Sequence, residues 1–395
     1  MTHEPLPAAA DDAVSDYAVS GLVLSDSSAM VPDDRVPFVT IVVPTLNEER
    51  YIEACLASLI GQWPDGAYEI LVMDGGSTDR TPEIVTAICE CQPSVKLISN
   101  PHRVQSAAVN LAAQLASPRA TVLMRADAHA LYTPDFVRRC VAALQASQAT
   151  SVVVPMYTRA RSSGAFVQEA IAAAQSSRLG NGGAAHRTHA VSRFVEHGHH
   201  AAFDVNFFRS IGGYDESFTH NEDAELDVRA LRAGGRIWMC AEAPVIYYPR
   251  DRLDRLAQQY FRHGGGRART LRKHRLRPRP RQMMPLVALS GCAAAVTTAP
   301  FDPMLGLIGL VYPACCLSWG IVQMMRRRDP RLIAGGAALM TMHLAWAIGF
   351  LVAFARARPA ARASQAPAGR SNTTTNAVML PLLLRSDAVA EADHN

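Results

Sequence analysis

An acid and an imidazole lie close together in the sequence LMRADAHALY, which spans residues 123–132. One residue separates Asp127 from His129, and a carboxylate and an imidazole at this spacing could hold a divalent metal ion such as Mn²⁺ or Mg²⁺. They could equally be solvated residues at the end of a strand. Arg125 could pair with a phosphate or with a nearby acid, or it could be solvated at the surface.

Two adjacent acids, Glu222 and Asp223, follow the turn sequence GGYDESF and precede the helical sequence AELDVRALRAGG. A carboxylate in this position could accept a proton as a general base. Acids also favour the first turn of a helix because of the helix dipole, which is the structural alternative. Because like charges disfavour joint ionisation, we expect Glu222 to raise the proton affinity of Asp223.

A second group of polar residues follows strand-like sequences nearer the N-terminus. Asp74 ends the apolar sequence YEILVMD and precedes two glycines, so its carboxylate could accept an N–H group of a base that approaches the backbone. Pro44, Thr45 and Glu48 belong to the sequence PTLNEE, which follows the preceding strand-like run. Arg103 follows NPH and could contact a base or a phosphate, or it could be an exposed loop residue.

These residues must be positioned by the elements around them. Runs rich in β-branched residues alternate with helical stretches from residue 38 to residue 129, which predicts an α/β fold with a doubly wound sheet. In such sheets ligands bind at the carboxyl ends of the strands. Because Thr45, Asp74 and Asp127 all follow predicted strands, we expect them to meet at one edge of the sheet.

Several longer motifs occur in a fixed order between about residues 39 and 248: VTIVVPTLNEE, EILVMDGGSTDRT, RADAH, and GGYDESF followed by NEDAEL. Together they resemble the motifs of family 2 glycosyltransferases with the GT-A fold, a Rossmann-like nucleotide-sugar domain whose sheet is mostly parallel. The sequences NPHRVQSAAVN and RADAHALY and the apolar C-terminal part are similar to those of bacterial glucosyltransferases of succinoglycan-type exopolysaccharide assembly.

The resemblance implies a role for each candidate residue. Asp127 matches the last acid of an Asp-x-Asp motif and would bind Mn²⁺ or Mg²⁺ together with the diphosphate, whereas Arg125 stands where the first acid would be. His129 would be a second metal ligand. Asp74 would bind uracil, and Asp223 would be the catalytic base. The remaining members of the catalytic and nucleotide-sugar sites would be Glu222, Pro44, Thr45, Glu48, Arg103 and Arg125.

The C-terminal part of the chain predicts a membrane region. Residues 304–325 and 332–354 are apolar, and each is about long enough to span a bilayer, which needs roughly 20 residues. Residues 283–299 are shorter and richer in small residues, so we predict two or three transmembrane helices. Basic flanking sequences, including RRRDPR between the two longer runs, indicate the cytoplasmic side. The alternative is a set of buried core helices.

Composition divides the chain into five parts. We predict a disordered acidic tail at 1–36, a GT-A glycosyltransferase domain at 37–255, a basic juxtamembrane segment at 256–282, a membrane region at 283–355 and a disordered tail at 356–395. The net charge of +4 therefore averages an acidic N-terminus and an Arg-rich segment.

The 8 cysteines show no paired spacing, which favours a reducing compartment, and no secretory signal is expected.

Three histidines lie close together in the sequence EHGHHAAFDVNFFR. If this segment is a strand, side-chain alternation places His197 and His199 on one face and His200 on the other. We therefore predict a wall of the acceptor site rather than a metal centre.

The sequence QQYFRHGGGRART resembles the Gln-x-x-Arg-Trp element of processive polysaccharide synthases through Gln259 and Arg262. His263 stands where the Trp would be, so we expect one sugar to be added per acceptor. The basic sequence that follows could bind nucleic acid. Because it directly precedes the predicted membrane spans, we expect anionic membrane lipid or the pyrophosphate of the acceptor as its partner, and no nucleic acid.

These observations predict a membrane-bound, inverting, metal-dependent hexosyltransferase at the cytoplasmic face of the inner membrane. The donor would be a UDP-sugar, UDP-glucose above all, and the acceptor a polyprenyl-pyrophosphate-linked saccharide in exopolysaccharide synthesis. Other polysaccharide-assembly enzymes would be its partners. A second interpretation is transfer of the hexose directly to polyprenyl phosphate. A third is a catalytically silent, nucleotide-binding membrane scaffold.

Overall fold

The first strands of the fold form where β-branched, apolar residues run together in the sequence. The computed structural model describes residues 36–160, 166–183 and 191–356. The two predicted tails lie outside these residues, except for their inner ends at Val36 and Arg356. The described strands are β1 (Phe38–Thr45), β2 (Tyr68–Asp74), β3 (Val95–Ser99), β4 (Ala120–Arg125), β5 (Ala130–Tyr132), β6 (Ser151–Val154), β7 (Met156–Thr158), β8 (Arg193–Val195), β9 (His199–Asp204), β10 (Ile237–Met239) and β11 (Val245–Tyr247).

The larger sheet has the strand order β3-β2-β1-β4-β9-β6-β10-β8 in the part of the chain that the structure describes. Strands β3, β2, β1 and β4 are parallel, whereas β9 runs antiparallel to both of its neighbours. In the parallel half, Thr45 of β1 is in register with Asp74 of β2, which is in register with Ser99 of β3. The smaller sheet has the order β5-β11-β7. The carboxyl ends of β1 and β2 therefore form one polar edge.

Helices cover both faces of the larger sheet. Ile52 and Phe136 belong to an apolar cluster on one face, and Val109 and Phe208 belong to a cluster on the other. This arrangement confirms the doubly wound α/β fold. The helices of this part of the chain are α1 (Ile52–Leu59), α2 (Thr81–Cys91), α3 (Gln105–Leu115), α4 (Phe136–Ser147), α5 (Phe166–Ser176), α6 (Arg178–Asn181), α7 (Val205–Ser210) and α8 (Glu222–Arg232).

The C-terminal part of the described chain is helical. A 3₁₀ turn at Pro330–Ala334 separates the last two of its helices. The boundary that composition predicts between residues 255 and 256 falls inside the first helix, so the predicted α/β domain and the basic segment share one continuous helix. These helices are α9 (Leu253–Lys273), α10 (Pro280–Thr298), α11 (Pro303–Gly309), α12 (Val311–Arg327) and α13 (Gly335–Arg356).

Two segments of the described residues are long and apolar enough to cross a membrane. They are Pro303–Arg327, with a mean hydropathy of 1.9, and Pro330–Arg356, with a mean hydropathy of 1.8. Only 11% and 33% of their most apolar stretches are buried in the protein, whereas the core helix of a soluble protein is mostly buried. The third predicted segment, 283–299, lies in α10, a helix of 19 residues that contains Pro285. Helix α10 is not one of the two segments that are long and apolar enough to cross a membrane.

Helix α9 makes unusually close contacts through the glycines of the sequence HGGG. A Cβ atom on Gly264 would lie 2.0 Å from a backbone carbonyl oxygen of α13. In the same way, a Cβ atom on Gly349 of α13 would lie 2.0 Å from the carbonyl oxygen of Phe261. A Cβ atom on Gly266 would lie 2.3 Å from the carbonyl oxygen of His220, just before α8. Helix α9 therefore lies between α13 and the start of α8 at distances that only glycine permits.

Candidate active site

The candidate site lies at the carboxyl ends of β1, β2 and β4. Thr45 and Asp74 end β1 and β2 side by side, and β4 ends at Arg125, two residues before Asp127. Pro44 lies within β1, next to Thr45. This is the placement that the strand pattern predicts, because parallel strands bring their carboxyl ends to the same edge of a sheet.

Asp74 organises the glycine turn that follows β2. Its carboxylate accepts hydrogen bonds from the backbone N–H groups of Gly76 at 3.0 Å and Ser77 at 3.1 Å, and from the Ser77 hydroxyl at 2.5 Å. The N–H group of Gly75 donates to the carbonyl oxygen of Thr45 at 2.8 Å, which ties the turn to the end of β1. Because a carboxylate has about four lone-pair sites, this half-buried group can still accept a hydrogen bond from a ligand.

Arg103 lies against the same turn. Its backbone has a φ of 58°, and its guanidinium Nη2 would be 3.3 Å from a Cβ atom on Gly76. A Cβ atom on Gly75 would lie 3.4 Å from both the Arg103 Cα and the Thr45 carbonyl oxygen. The two glycines therefore bring Asp74, Thr45 and Arg103 together, although the Arg103 side chain is exposed, as the loop alternative supposes.

Glu48 contacts His129 rather than the glycine turn. Its Oε1 lies 3.0 Å from the Nδ1 of His129, and its backbone N–H donates to the Thr81 hydroxyl at 2.8 Å. Burial alone would lower the pKa of His129, but the hydrogen bond and the charge of Glu48 raise the pKa above its ordinary value. The sequence predicts a nucleotide-sugar contact for Glu48, whereas in the structure its carboxylate lies against an imidazole whose Nε2 could then bind a metal.

Arg125 is buried, with 5% of its side chain exposed, so solvation at the surface is excluded. Its Nη1 donates to Asp223 Oδ1 at 2.7 Å, and its Nε and Nη2 donate to Asp127 Oδ1 at 3.3 Å. Nη1 also lies 3.3 Å from the Tyr214 hydroxyl and 3.7 Å from Glu222 Oε1. Burial alone would lower the pKa of Arg125, but Asp223 and Asp127 raise it well above its ordinary value. One cation therefore joins the candidate metal ligand to the candidate base.

Asp127 is surrounded by hydrogen-bond donors. Gln105 Nε2 donates to its Oδ1 at 2.8 Å, and His199 Nε2 lies 3.6 Å from its Oδ2. Burial alone would raise the pKa of Asp127, but Arg125, His199 and His129 lower it well below its ordinary range. The carboxylate is therefore ionised at neutral pH, as metal binding requires.

Asp127 and His129 offer an oxygen and a nitrogen ligand, a donor set that suits Mn²⁺ and other divalent cations. Oδ1 of Asp127 already accepts hydrogen bonds from Gln105 and Arg125, so Oδ2 is the oxygen that would bind the metal. Within the described ranges, no group of three or more His, Cys, Asp and Glu side chains could hold a metal ion by itself. A cation at this pair would therefore need oxygen ligands from a bound diphosphate, as the Asp-x-Asp resemblance implies.

Asp223 and Glu222 begin α8 with pKa shifts in opposite directions. The Tyr214 hydroxyl donates to Asp223 Oδ1 at 2.7 Å; burial raises the pKa of Asp223, but Arg125 and two nearby imidazoles lower it below its ordinary value. Burial and the charge of Asp223 raise the pKa of Glu222 to about 7. The like-charge effect therefore raises the pKa of Glu222, whereas the net pKa shift of Asp223 is downward rather than upward as expected, because Arg125 makes its short contact with Asp223.

The side chains of the three neighbouring histidines face different partners from those that strand alternation predicts. His197 Nδ1 and His200 Nε2 both contact the buried carboxylate of Asp227, the latter at 2.6 Å. His199 instead faces Asp127. Alternation failed because β9 begins only at His199, so His197 lies outside the strand and reaches the same side as His200.

Three further residues of the site, Tyr214, Gln105 and Asp227, are not among those predicted from the sequence. Tyr214 is the aromatic residue of the GGYDESF motif, and Gln105 lies in NPHRVQSAAVN, so both lie in motifs that carried the resemblance. Asp227 follows Asp223 by one helical turn, and the i, i+4 spacing of the two acids was the available signal. All three side chains contact or face the acids and imidazoles of the site.

The model of the family described as Glycosyl transferase family 2 matches residues 40–212. The succinoglycan biosynthesis protein ExoA of Rhizobium meliloti (strain 1021) is 43% identical over 317 residues, which cover 78% of this chain and 93% of that protein. The dolichyl N-acetyl-alpha-D-glucosaminyl phosphate 3-beta-D-2,3-diacetamido-2,3-dideoxy-beta-D-glucuronosyltransferase of Methanococcus voltae is 32% identical over 111 residues, which cover 27% of this chain and 34% of that protein.

Among solved structures, the mannosyltransferase PcManGT from Pyrobaculum calidifontis, in complex with GDP-Man and Mn²⁺, matches with a TM-score of 0.52 and 21% identity. The match covers 80% of this chain and 87% of that chain. At this identity the likeness shows the fold. The region matched by the family model includes Thr45, Asp74 and Asp127, whereas Glu222 and Asp223 lie beyond it.

Proposed function

The chain belongs to glycosyltransferase family 2, and from this premise we propose that it transfers glucose from UDP-glucose to a saccharide carried by polyprenyl diphosphate. The relative that is 43% identical over most of its length is named for succinoglycan biosynthesis, which supports a place in exopolysaccharide synthesis. The observation that carries the proposal is the Arg125 guanidinium, which contacts Asp127 at 3.3 Å and Asp223 at 2.7 Å. The proposed metal ligand and the proposed base therefore both contact the same side chain.

The uracil of the donor would lie against the glycine turn after β2. Asp74 would accept the ring N–H of uracil, and Arg103 would contact the base or the adjacent phosphate. Gly75 and Gly76 support this assignment because they lack side chains that would keep a planar base away from the backbone. Thr45 and Pro44 would form the adjoining wall at the end of β1.

The departing diphosphate needs positive charge around it. Asp127 and His129 would hold Mn²⁺ or Mg²⁺, which when bound supplies positive charge to the leaving oxygens. Glu48 would hold His129 in the orientation that ligation requires. Arg125 would add a second, fixed positive charge beside the diphosphate.

Asp223 would accept the proton of the acceptor hydroxyl as its oxygen attacks C1 of the glucose. The bond from C1 to the diphosphate oxygen breaks as the new bond forms, and UDP leaves with the electron pair of that bond. A single displacement inverts C1, so the α-linked donor would give a β-linked product. The lowered pKa keeps Asp223 ionised, and its contacts with Arg125 and Tyr214 keep it in one orientation.

We place the enzyme in the inner membrane with its catalytic domain in the cytoplasm, where UDP-sugars are made. The Arg-rich segment between the catalytic domain and α10 supports this orientation, and α10 would then be a third crossing that brings the basic loop between the two longer segments to the same side. Other polysaccharide-assembly enzymes that supply and extend the same lipid-linked saccharide would be its partners. Because His263 replaces the Trp of the processive element, we expect a single sugar to be added.

The test uses membranes that contain the protein, labelled UDP-glucose, Mn²⁺ and a lipid extract from a polysaccharide-producing bacterium. We expect label in the lipid fraction with the unchanged chain, none after chelation of the metal, and at least a hundredfold less with Asp223→Asn. The matched control is Asp215→Asn, which changes an acid of the preceding turn that pairs with Lys273. Transfer by Asp223→Asn at the normal rate would contradict the assignment of the base.

Mild acid hydrolysis of the labelled lipid separates the alternatives. An oligosaccharide with glucose at its non-reducing end supports the proposal. Release of glucose alone would instead support direct transfer to polyprenyl phosphate. Metal-dependent UDP binding without transfer from any UDP-hexose to any lipid fraction would support the nucleotide-binding scaffold.

A further inference from the structure

A cavity of about 1520 Å³ lies where α8 and α9 meet the C-terminal helices α10, α12 and α13. It exceeds the roughly 300–1,000 Å³ of most small-molecule sites. Among the described residues, those assigned to the donor and the metal do not line it. The cavity is therefore a second site, distinct from the nucleotide-sugar pocket.

The part of the cavity between the C-terminal helices is apolar. It is lined by Val287 and Gly291 of α10, Tyr312 of α12, and Leu339 and Met342 of α13. A Cβ atom on Gly291 would meet no other atom within 4 Å, so this face of α10 borders open space. A hydrocarbon chain could occupy this space, since each buried CH₂ group contributes about 0.8 kcal/mol to binding.

Another part of the cavity wall is rich in arginine. Arg267 of α9 and Arg277, Arg279 and Arg281 around the start of α10 contribute to it. The Nε of Arg267 is buried and has no hydrogen-bond partner among the described residues. Burial and the nearby Arg279 and Arg281 lower the pKa of Arg267. An anion between these side chains would satisfy the Nε and reduce their mutual repulsion.

The acids that line the same cavity already have partners. Glu196 pairs with Arg279 at the surface, and Asp227 is buried between His197 and His200. The arginine cluster therefore carries more positive charge than the adjacent acids neutralise. The charge of this region favours a ligand with more than one negative charge, such as a diphosphate.

The arginine-rich part of the cavity adjoins the helix that carries the candidate base. Two residues of the cavity wall lie close to Asp223 of this helix. Asn221 lies two residues before Asp223, and Asp227 lies one helical turn after it. A ligand whose anion lies at Arg267 could therefore direct the group beyond that anion towards Asp223. This proximity distinguishes a reacting molecule from a lipid that only fills the space.

We propose that this cavity binds the lipid-linked acceptor, with its diphosphate at Arg267 and Arg279 and its first isoprenoid units between α10, α12 and α13. The proposal rests on the proposed function, because it gives the polyprenyl diphosphate acceptor a defined site. A bulk membrane phospholipid is the competing occupant. It carries a single phosphodiester charge at its phosphate, which leaves the arginine cluster less well neutralised.

Binding can be measured without any transfer reaction. The full chain in lipid nanodiscs is titrated with farnesyl diphosphate, and binding is followed by the fluorescence of the tryptophans, of which Trp346 lines the cavity. We expect saturable binding, at least tenfold weaker binding of inorganic diphosphate, and no displacement by added phosphatidylglycerol. Equal competition by phosphatidylglycerol would overturn the proposal in favour of a lipid that only fills the space.

Two variants probe the two parts of the cavity. Arg267→Gln should weaken the binding of farnesyl diphosphate and of inorganic diphosphate at least tenfold. Gly291→Leu fills open space and should weaken only farnesyl diphosphate. Matched controls are Arg255→Gln, which removes an exposed charge from the same helix, and Val296→Leu, which alters an exposed position of α10 that is 75% accessible. Unchanged binding in both cavity variants would overturn the proposal.

Failure of this proposal can be distinguished from failure of the proposed function. Arg267→Gln should raise the KM for the lipid acceptor at least tenfold while the KM for UDP-glucose stays unchanged. If transfer to lipid occurs but both cavity variants keep the normal KM for the acceptor, the cavity is not the acceptor site. If farnesyl diphosphate binds as expected but no sugar is transferred, the cavity remains supported as a binding site for a polyprenyl diphosphate, and the proposed transfer reaction is wrong.

Discussion

At the scale of single residues, the buried Arg125 is the main departure from the Asp-x-Asp pattern. It stands where that pattern has an acid, yet it lies within hydrogen-bond distance of Asp127 and Asp223, the proposed metal ligand and the proposed base. Removing one partner from a buried ion pair leaves an uncompensated charge, which costs about 3–5 kcal/mol. The position therefore cannot be read as a simple loss of a ligand.

We expect Arg125→Asp, which restores the pattern of the family, to abolish transfer rather than improve it. Four carboxylic acids, the introduced one and those of Asp127, Glu222 and Asp223, would then lie together without the guanidinium, so the chain should also unfold at a lower temperature. The rate of transfer with saturating Mn²⁺ and a thermal melt in detergent measure the two effects. Arg138→Asp, at a position with 69% of the side chain exposed, is the control for the change of charge. Activity of Arg125→Asp equal to that of the unchanged chain would show that the bridge is dispensable.

Glu222 gives the site a dependence of stability on pH. Burial and the charge of Asp223 raise its pKa from 4.5 to about 7, while Arg125 opposes the shift and Asp127 adds to it. Because the folded state holds this proton more tightly than the unfolded chain, Glu222 lowers the stability progressively as the pH rises from about 4.5 to above 7. Glu222→Gln should therefore be stabilising at pH 8, by about 1–3 kcal/mol, and nearly neutral at pH 4.5. Chemical denaturation at the two pH values checks this, and equal effects at both would contradict it.

The positions of residues at the ends of strands could be predicted from the sequence. The contacts between residues that are distant in the chain could not. Thr45 and Asp74 follow β-branched runs, and parallel topology then brings them to one edge. Besides Asp127, Arg125 contacts Tyr214 and Asp223, which lie 89 and 98 residues away, so local pattern could not reveal these two partners. The downward pKa shift of Asp223 depends on its long-range contact with Arg125, which explains why the sequence did not predict which of the two acids holds its proton more tightly.

At the scale of elements, the sheet shows the same division between local and distant information. The parallel strands β1 to β4 and their helices follow from alternating patterns in adjacent segments. The antiparallel strand β9 lies between β4 and β6, with a register irregularity opposite Val152 and Val153. Its start at His199 decides which imidazoles face which acid, and neither the start nor the irregularity has a signal in the segment itself.

Helix α9 offers a matched pair of glycine substitutions. Gly264→Ala would place a methyl group 2.0 Å from a carbonyl oxygen of α13, whereas the Cβ of Gly265→Ala would lie 3.6 Å from its nearest neighbours. We expect the first substitution to lower the melting temperature, because the two helices must move apart. The second should be neutral or stabilising by up to about 1 kcal/mol, since alanine favours helix more than glycine does. Equal melting temperatures for the two variants would mean that α9 and α13 do not pack closely in the protein.

At the scale of the whole molecule, the Arg-rich segment that precedes α10 predicts that the catalytic part lies on the cytoplasmic side of the membrane. Cys91 is exposed at the end of α2, whereas Cys140 is buried. In a variant that keeps only Cys91, a membrane-impermeant maleimide should label inside-out vesicles and not intact spheroplasts. A variant that keeps only Cys140 is the control and should be labelled after denaturation alone. Labelling of Cys91 in intact spheroplasts would reverse the proposed orientation.

The glycine contacts of α9 also limit how this chain can be recombined with its relatives. Gly264 and Gly349 fit one helix to the other, and Gly266 fits the same helix to the residue before the acid pair. In a chimaera that joins the catalytic part of one parent to the C-terminal helices of another, α9 would therefore meet a surface from the other parent at one of its two contacts. Crossover points should fall before Leu253 and after residue 356, with the loop that ends at Asn221 taken from the same parent. These helices should therefore be exchanged together as one unit, because the chain does not divide into a catalytic domain and a separate membrane anchor.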